Sequence, residues 1–248
     1  MSLVGVRKAF GRHGVLQGID LDLRRGETVV VLGGSGSGKS VLLKHINGLL
    51  RPDAGRVIVL GCDVAHLPEE DLVPMRRRVS YIFQGGALFD SMTVGENVAY
   101  PLWERGDRER RGIDLRVAEL LARVGLAGHE RVMPANLSGG MRKRVALARG
   151  LALEPEVILY DEPTAGLDPL TAESIAALLR EVTAETRATS VVVTHDLMLA
   201  GALEGRVAFL QEGRFQFVGS LDDAAREPGV VGQFVRVGGI HAGYGSAP

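Results

Sequence analysis

The chain has 248 residues, 46% hydrophobic and 24% charged, a composition that excludes wholesale disorder and supports a sizeable core. At roughly 150 residues per domain, this length makes one large domain or two small ones. Lys+Arg 29 against Asp+Glu 30 leaves a formal charge of -1, which argues against a surface built as a whole for nucleic acid or anionic lipid and leaves room only for local patches. The single cysteine, Cys62, cannot form an internal disulfide and reads as a small apolar residue at a strand end. Met1 to Lys8 lacks the order of regions that marks a signal peptide, and no apolar run nears the roughly 18 residues needed to cross a bilayer. The expectation is a reduced, cytoplasmic chain whose membrane work, if any, depends on another protein.

In chain order, Val15 to Leu23, Thr28 to Leu32 and Arg56 to Leu60 read as strands, with an apolar helix from Lys39 to Leu50. Arg116 to Val124 has helical spacing, and Ser138 to Leu153 is a second helix opened by a Ser N-cap. Val157 to Tyr160 is a strand, Thr171 to Glu185 a helix and Thr189 to Val193 another strand. Unbroken apolarity in the strands points to a parallel sheet covered on both faces. The mixed-sign run Glu104 to Arg111 reads as a solvated loop or helix face, with contact to a partner or to lipid headgroups as the alternative. Gln233-Phe234-Val235 is expected to pack on the chain's own core, with a neighbour's surface as the alternative. Residues 237–248 read as a flexible tail. The fold class is α/β, a core of residues 1–84 and 154–236 interrupted by a helical insert at 85–153.

Glycine, at 33 residues, is nearly twice its usual ~7% and gathers at the ends of apolar runs. Gly33-Gly34-Ser35-Gly36-Ser37-Gly38-Lys39-Ser40 fits the phosphate-loop pattern of Gly, four residues, then Gly-Lys-Ser, with a strand before it and a helix after. Such a loop turns successive N–H groups inward at a helix N-terminus and forms a concave anion site. Lys39 is placed to reach the β- and γ-phosphates, and the Ser40 hydroxyl to ligate Mg²⁺. A nucleotide site also needs a carboxylate at the end of a neighbouring strand, and Asp161 follows four apolar residues. Side chains alternate along a strand, so Glu162 points elsewhere and is suited to act as general base on a water, with an ion pair as its alternative role.

Leu137-Ser138-Gly139-Gly140-Met141 resembles the signature motif of the ATP-binding cassette (ABC) ATPases, with Met in place of the final Gln. The other family motifs match in order: Phe10 as the adenine-stacking aromatic, Gln84 as the Q-loop glutamine, Ala165-Gly166-Leu167-Asp168 as the D-loop and His195 as the switch histidine. The resemblance covers about Val4 to Asp222. It implies a P-loop NTPase (RecA-like) core with an antiparallel β subdomain and an inserted α-helical subdomain, one domain over residues 1–236. It also implies ATP and Mg²⁺ as ligands. Nucleotide contacts then fall on Phe10, the loop from Gly33 through Ser40 to Val41, Gln84, Ser138, Gly139, Gly140 and Asp168. Ser40, Gln84 and Asp161 fall on the metal side, and Lys39, Gln84, Glu162 and His195 on the hydrolytic side. Alternatives at two of these are a core aromatic for Phe10 and a structural histidine for His195.

In the family, the phosphate loop of one subunit faces the Ser138 signature of a second copy with ATP between them, so the resemblance implies a homodimer. The segments Ser37 to Lys44, Ala87 to Val98 and Leu137 to Arg149 further resemble the Mla/Mce-type ATPases, which energise lipid transport between bacterial membranes. Thr164-Ala165-Gly166-Leu167 follows the general ABC pattern and departs from the Phe- and Gln-containing version of some Mla members. The implied partners are integral membrane permease subunits and a periplasmic Mce-type lipid-shuttling component, with the chain peripheral on the cytoplasmic face of the inner membrane. An importer of amino acids or ions is the alternative. Soluble ABC ATPases acting on DNA or ribosomes fit less well. The interval from Lys39 to Asp161 leaves no room for a long coiled coil, and the chain carries one cassette.

Overall fold

Strand β3 (Thr28–Leu32) is apolar at consecutive positions because both of its faces are covered. Val29 and Val31 enter one hydrophobic core, while Val30 and Leu32 enter the other. The strands β7 (Val157–Asp161) and β8 (Thr189–Thr194) divide the same way, with Leu159 and Val193 on one side and Tyr160 and Val192 on the other. With β6 (Val79–Ile82), β9 (Arg206–Gln211) and β10 (Arg214–Gly219) they form a six-stranded sheet of order β10-β9-β3-β8-β7-β6. Every pair in it is parallel except β9 with β10. This is a computed structural model that describes residues 1–241.

A second, antiparallel sheet of order β2-β1-β4-β5 is built from β1 (Ser2–Phe10), β2 (His13–Asp22), β4 (Ala54–Val59) and β5 (Cys62–Asp63). Its inward residues Leu3, Val6, Ile19 and Val57 meet Leu42, Leu43 and Ile46 of helix α1 (Lys39–Ile46), so α1 is sandwiched between the two sheets. Helix α2 (Glu69–Arg76) lies between β5 and β6.

Between β6 and β7 the chain forms α3 (Val94–Arg105), α4 (Arg110–Arg123), a 3-10 turn at Pro134–Asn136 and α5 (Gly139–Leu151). Thr93 and Glu96 start α3 with a reciprocal capping box. Val98, Leu120, Leu121 and Val145 of this insert share one core with Ile158 and Tyr160 of β7, so the helices are joined to the sheet rather than tethered beside it. After β7 come α6 (Pro169–Thr186), α7 (Leu197–Ala202), α8 (Leu221–Arg226) and α9 (Val230–His241). Among the described residues no helix is long and apolar enough to cross a membrane.

The structure corrects several boundaries. The helix expected to reach Leu50 stops at Ile46, because Gly48 takes φ +67° and reverses the chain. The strand expected from Val15 to Leu23 runs from His13 to Asp22, and that expected from Arg56 to Leu60 from Ala54 to Val59. Residues 237–241, expected to be tail, complete α9, and the rest of the tail lies outside the described residues. Phe234 packs edge-on against Phe209 at 5.1 Å between ring centroids, and Val235 is buried, so that segment sits on its own core. The Glu104 to Arg111 run ends α3 and opens α4, with most of its side chains exposed.

Candidate nucleotide site

The loop from Gly33 to Gly38 carries the chain from β3 into α1. A side chain at Gly33 would overlap the carbonyl oxygen of Leu210, so the close approach to β9 demands glycine. Gly38 is the N-cap of α1 with φ 103° and ψ 7°, and a Cβ there would stand 3.1 Å from Val15 Cγ1. Lys39, the first helical residue, folds its side chain back under the loop and is buried. Its ammonium donates to the carbonyls of Gly33 at 2.8 Å and Gly34 at 3.0 Å and lies 3.3 Å from Glu162 Oε1. The Ser37 hydroxyl is buried and has no hydrogen-bond partner among the described residues.

Asp161, the last residue of β7, is engaged at both oxygens. Ser40 Oγ donates to Oδ1 at 2.8 Å and Tyr81 OH to Oδ2 at 2.8 Å. Burial first, and the Asp161 carboxylate second, push the Tyr81 phenol well above its ordinary pKa, so it stays a donor.

Glu162 turns the other way. Its backbone takes φ +46°, a left-handed conformation uncommon for a non-glycine residue, and its N–H donates to Val193 O at 2.9 Å. Its carboxylate accepts from Thr194 Oγ1 at 3.3 Å and stands 2.9 Å from His195 Nδ1, with Lys39 on its other oxygen. The side chain is only 11% exposed, whereas His195 is 62% exposed and faces outward.

Phe10, Gly34 to Val41, Gln84, Glu162 and His195 line one cavity of about 700 Å³ together with His13, Val15 and Phe234. Phe10 ends β1 with half its surface open, and the Lys8 ammonium lies 5.7 Å from its ring centroid. Gly33 and Asp161 stand behind this lining, acting through Lys39 and Ser40. A larger cleft of about 870 Å³ lies in the helical insert, but it gathers no comparable set of site residues.

Ser138, Gly139, Gly140 and Asp168 do not line the Lys39 cavity; they form a second group. Ser138 Oγ accepts from Met141 N at 3.2 Å and caps α5, leaving the first turn of that helix at the surface. A Cβ on Gly140 would come to 2.5 Å from Thr171 Cγ2, so α5 and α6 meet only because that position is glycine. Asp168 caps α6 by accepting from Thr171 N at 3.0 Å, and the hydrogen bonds from Thr171 hold its carboxyl below the usual range. One chain therefore carries a phosphate loop and, apart from it, an open helix N-terminus of the kind that binds anions.

Tyr81, Thr194, Lys143 and Phe234 also belong to the site, a role that the sequence does not assign to any of them. The phenol of Tyr81, in the short strand that leads to Gln84, was a detectable signal; Phe234 sits in a late helix with no motif around it.

The family model described as ABC transporter matches residues 16–165. The methionine import ATP-binding protein MetN of Mesorhizobium japonicum is 40% identical over 226 residues, which is 91% of this chain and 62% of that protein. The probable ribonucleotide transport ATP-binding protein mkl of Mycobacterium tuberculosis (strain H37Rv) is 41% identical over 206 residues, 83% of this chain and 57% of that protein. This chain thus spans about three fifths of the length of these relatives. Among solved structures, the dimeric ATP-binding cassette MJ0796 in a post-hydrolysis state with ADP and Pi superposes with a TM-score of 0.81 at 35% identity, covering 88% of this chain and 97% of that one. The cassette cbiO1 from Clostridium perfringens, part of the ABC transporter complex cbiONQ, gives 0.80 at 28% identity and 97% coverage of both. A model matched over more than half of the residues, and a solved cassette of the same topology overlapped almost end to end, lead to one conclusion: this chain belongs to the ABC transporter family, as its ABC ATPase domain.

Proposed function

We propose that this chain binds and hydrolyses ATP with Mg²⁺ as the ATPase subunit of an ABC transporter, closing as a homodimer around nucleotide to drive a separate membrane permease. The observation that carries the reading is the placement of Glu162, whose carboxylate is held between the Lys39 ammonium and the His195 ring at the mouth of the phosphate loop. The loop N–H groups, the unpartnered Ser37 hydroxyl and Lys39 hold phosphate oxygens. Phe10 stacks on adenine. Glu162 takes the proton of the attacking water, Gln84 orients that water, and His195 donates to the γ-phosphate.

Mg²⁺ fits the donor set. Ser40 and Asp161 offer hard oxygens, and no group of three or more His, Cys, Asp or Glu suited to a metal exists among the described residues. That is the pattern for an ion that keeps waters and takes its other ligands from phosphates. Bound there, it would supply positive charge against the negative charge that develops on the phosphate oxygens. Ser138, Gly139, Gly140 and Asp168 of a second copy complete the pocket, so the γ-phosphate is held by both halves and its loss weakens the closed state.

The finer reading is phospholipid transport of the Mla/Mce type from the cytoplasmic face of the inner membrane, with permease and Mce-type periplasmic partners and no nucleic acid. Its support is the resemblance of Leu137 to Arg149 and of Ala87 to Val98. The latter borders a groove of about 460 Å³ lined by Tyr81, Phe83, Phe89 and Tyr100, where Phe83 and Phe89 are exposed to receive a permease helix. The second reading is import of an amino acid or ion, favoured by the relative that is a methionine import ATP-binding protein.

Light scattering with a slowly hydrolysed ATP analogue and Mg²⁺ tests the engine: the mass should double with analogue and fall back with ADP. A monomer under every nucleotide condition overturns it. Purification from membranes with partners attached decides the cargo, lipid with an Mce-type protein or a small soluble solute with a binding protein.

A further inference from the structure

Helix α5 reaches into the site with a cation that no matched motif uses. Lys143 is half-buried, one turn beyond the signature glycines. Its ammonium donates to the backbone carbonyl of Glu162 at 3.2 Å and to that of Gln84. Both acceptors are neutral, and burial pushes the ammonium pKa down against the pull of Asp161 and Glu162. Of the two acceptor residues, Glu162 is the one in an uncommon backbone conformation. That residue's left-handed backbone persists only if its surroundings hold it. Its N–H is fixed from the sheet by Val193 O, and its C=O accepts both from Ala165 N of its own loop and from Lys143 of the insert, each at 3.2 Å.

The same helix grips the Gln84 segment again farther along. Arg149 donates to the carbonyls of Gly86 and Ala87, both at 2.7 Å. Three carbonyls of residues 84–87 are thus bound to α5, and Lys143 binds the carbonyl of Glu162 as well. We propose that Lys143 is a positioning residue that couples the helical insert to hydrolysis, tying the carbonyls of Gln84 and Glu162 so that the attitude of α5 sets where the Glu162 carboxylate points. This rests on Glu162 being the general base, as proposed above. It adds a mechanical path by which an event at the insert surface reaches the water without moving the phosphate loop.

The test uses the full chain, with whatever membrane partners copurify, as Lys143→Met, Lys143→Arg, Glu162→Gln and the Lys143→Met/Glu162→Gln double variant. Steady-state ATP hydrolysis and equilibrium binding of a slowly hydrolysed analogue with Mg²⁺ are measured on each. Lys143→Met should lower kcat about tenfold, the worth of one charge-assisted hydrogen bond, with KM and analogue affinity within about twofold of the parent. Lys143→Arg should recover most of the rate, and the double variant should be no slower than Glu162→Gln alone. A parent-like kcat in Lys143→Met, a loss that follows weaker analogue binding, or effects that multiply in the double variant each overturn the tie. Should Lys143→Met fail to fold, Lys143→Gln is judged by the same criteria. Parent-rate hydrolysis by Glu162→Gln would sink the general-base reading and the tie with it, whereas a slow Glu162→Gln beside a parent-like Lys143→Met would sink the tie alone.

Discussion

Ser40 Oγ and Asp161 Oδ1 lie 2.8 Å apart although 121 positions separate them in the chain. One sits in the first turn of α1 and the other closes β7, and β8 lies between β7 and the strand that feeds the helix. The contact therefore exists only because three strands are paired in a non-sequential order. It also places a hydroxyl and a carboxylate, both hard oxygen donors, in one small space.

Asp161→Asn should abolish the gain in ATP affinity that Mg²⁺ confers, so that titrations with Mg²⁺ and with EDTA coincide. Tyr81→Phe keeps the ring and its stacking on Phe83, centroids 4.2 Å apart, but removes the hydrogen bond to Oδ2. It should raise the half-saturating Mg²⁺ concentration roughly fivefold, about 1 kcal/mol of one hydrogen bond. Unchanged Mg²⁺ dependence in both variants would remove Asp161 from the metal side.

Lys39→Ala deletes a cation shared by two loop carbonyls and Glu162. Nucleotide affinity should fall by at least about tenfold, the cost of losing a charge-assisted contact to phosphate. Lys39→Arg should not restore it, since a planar fork does not match the pair of carbonyls that a compact ammonium satisfies. Isothermal titration with ATP measures both variants, and parent-like affinity in Lys39→Ala contradicts the phosphate-loop assignment.

Glu162→Gln keeps the size of the side chain and its place beside His195 but removes the base. Turnover should slow by ~10²–10⁴-fold while ATP binding persists and the closed dimer accumulates. Phosphate release and size-exclusion mass with ATP report the two effects. Wild-type turnover would take the role of general base away from Glu162.

Gly140→Ala should lower stability by about 1–3 kcal/mol, because its Cβ would press on Thr171 Cγ2 at 2.5 Å in a packed helix junction. At this chain length that is roughly 2–4 °C in Tm per kcal/mol. Thr171→Ser removes the methyl and should return most of the loss in the double variant. Thermal unfolding of the four proteins checks this, and additive losses would place the strain elsewhere.

Much of the site was readable along the chain because its parts are local. A Gly-rich loop between a strand and a helix, and two acidic residues after four apolar ones, carry their chemistry within a few positions of each other. The unbroken apolar runs of β3, β7 and β8 likewise announced burial on both faces, as found at Val29 to Leu32. Less legible were the element ends, where single residues decide: Gly48 stops α1 early, and α9, whose Phe234 packs on Phe209, runs on through residues 237–241 of the expected tail.

What the amino-acid sequence alone determined, then, was the set of chemical parts and the family they belong to. Tertiary structure alone decided which parts touch. It set Ser40 and Tyr81 on opposite oxygens of Asp161, held Glu162 between Lys39 and His195, brought Lys143 from the insert under Glu162, and left Ser138 outside the Lys39 cavity. The reason is physical: local propensity and periodicity act over a few residues, whereas these contacts depend on strand order and helix packing, which are settled by burying two cores at once.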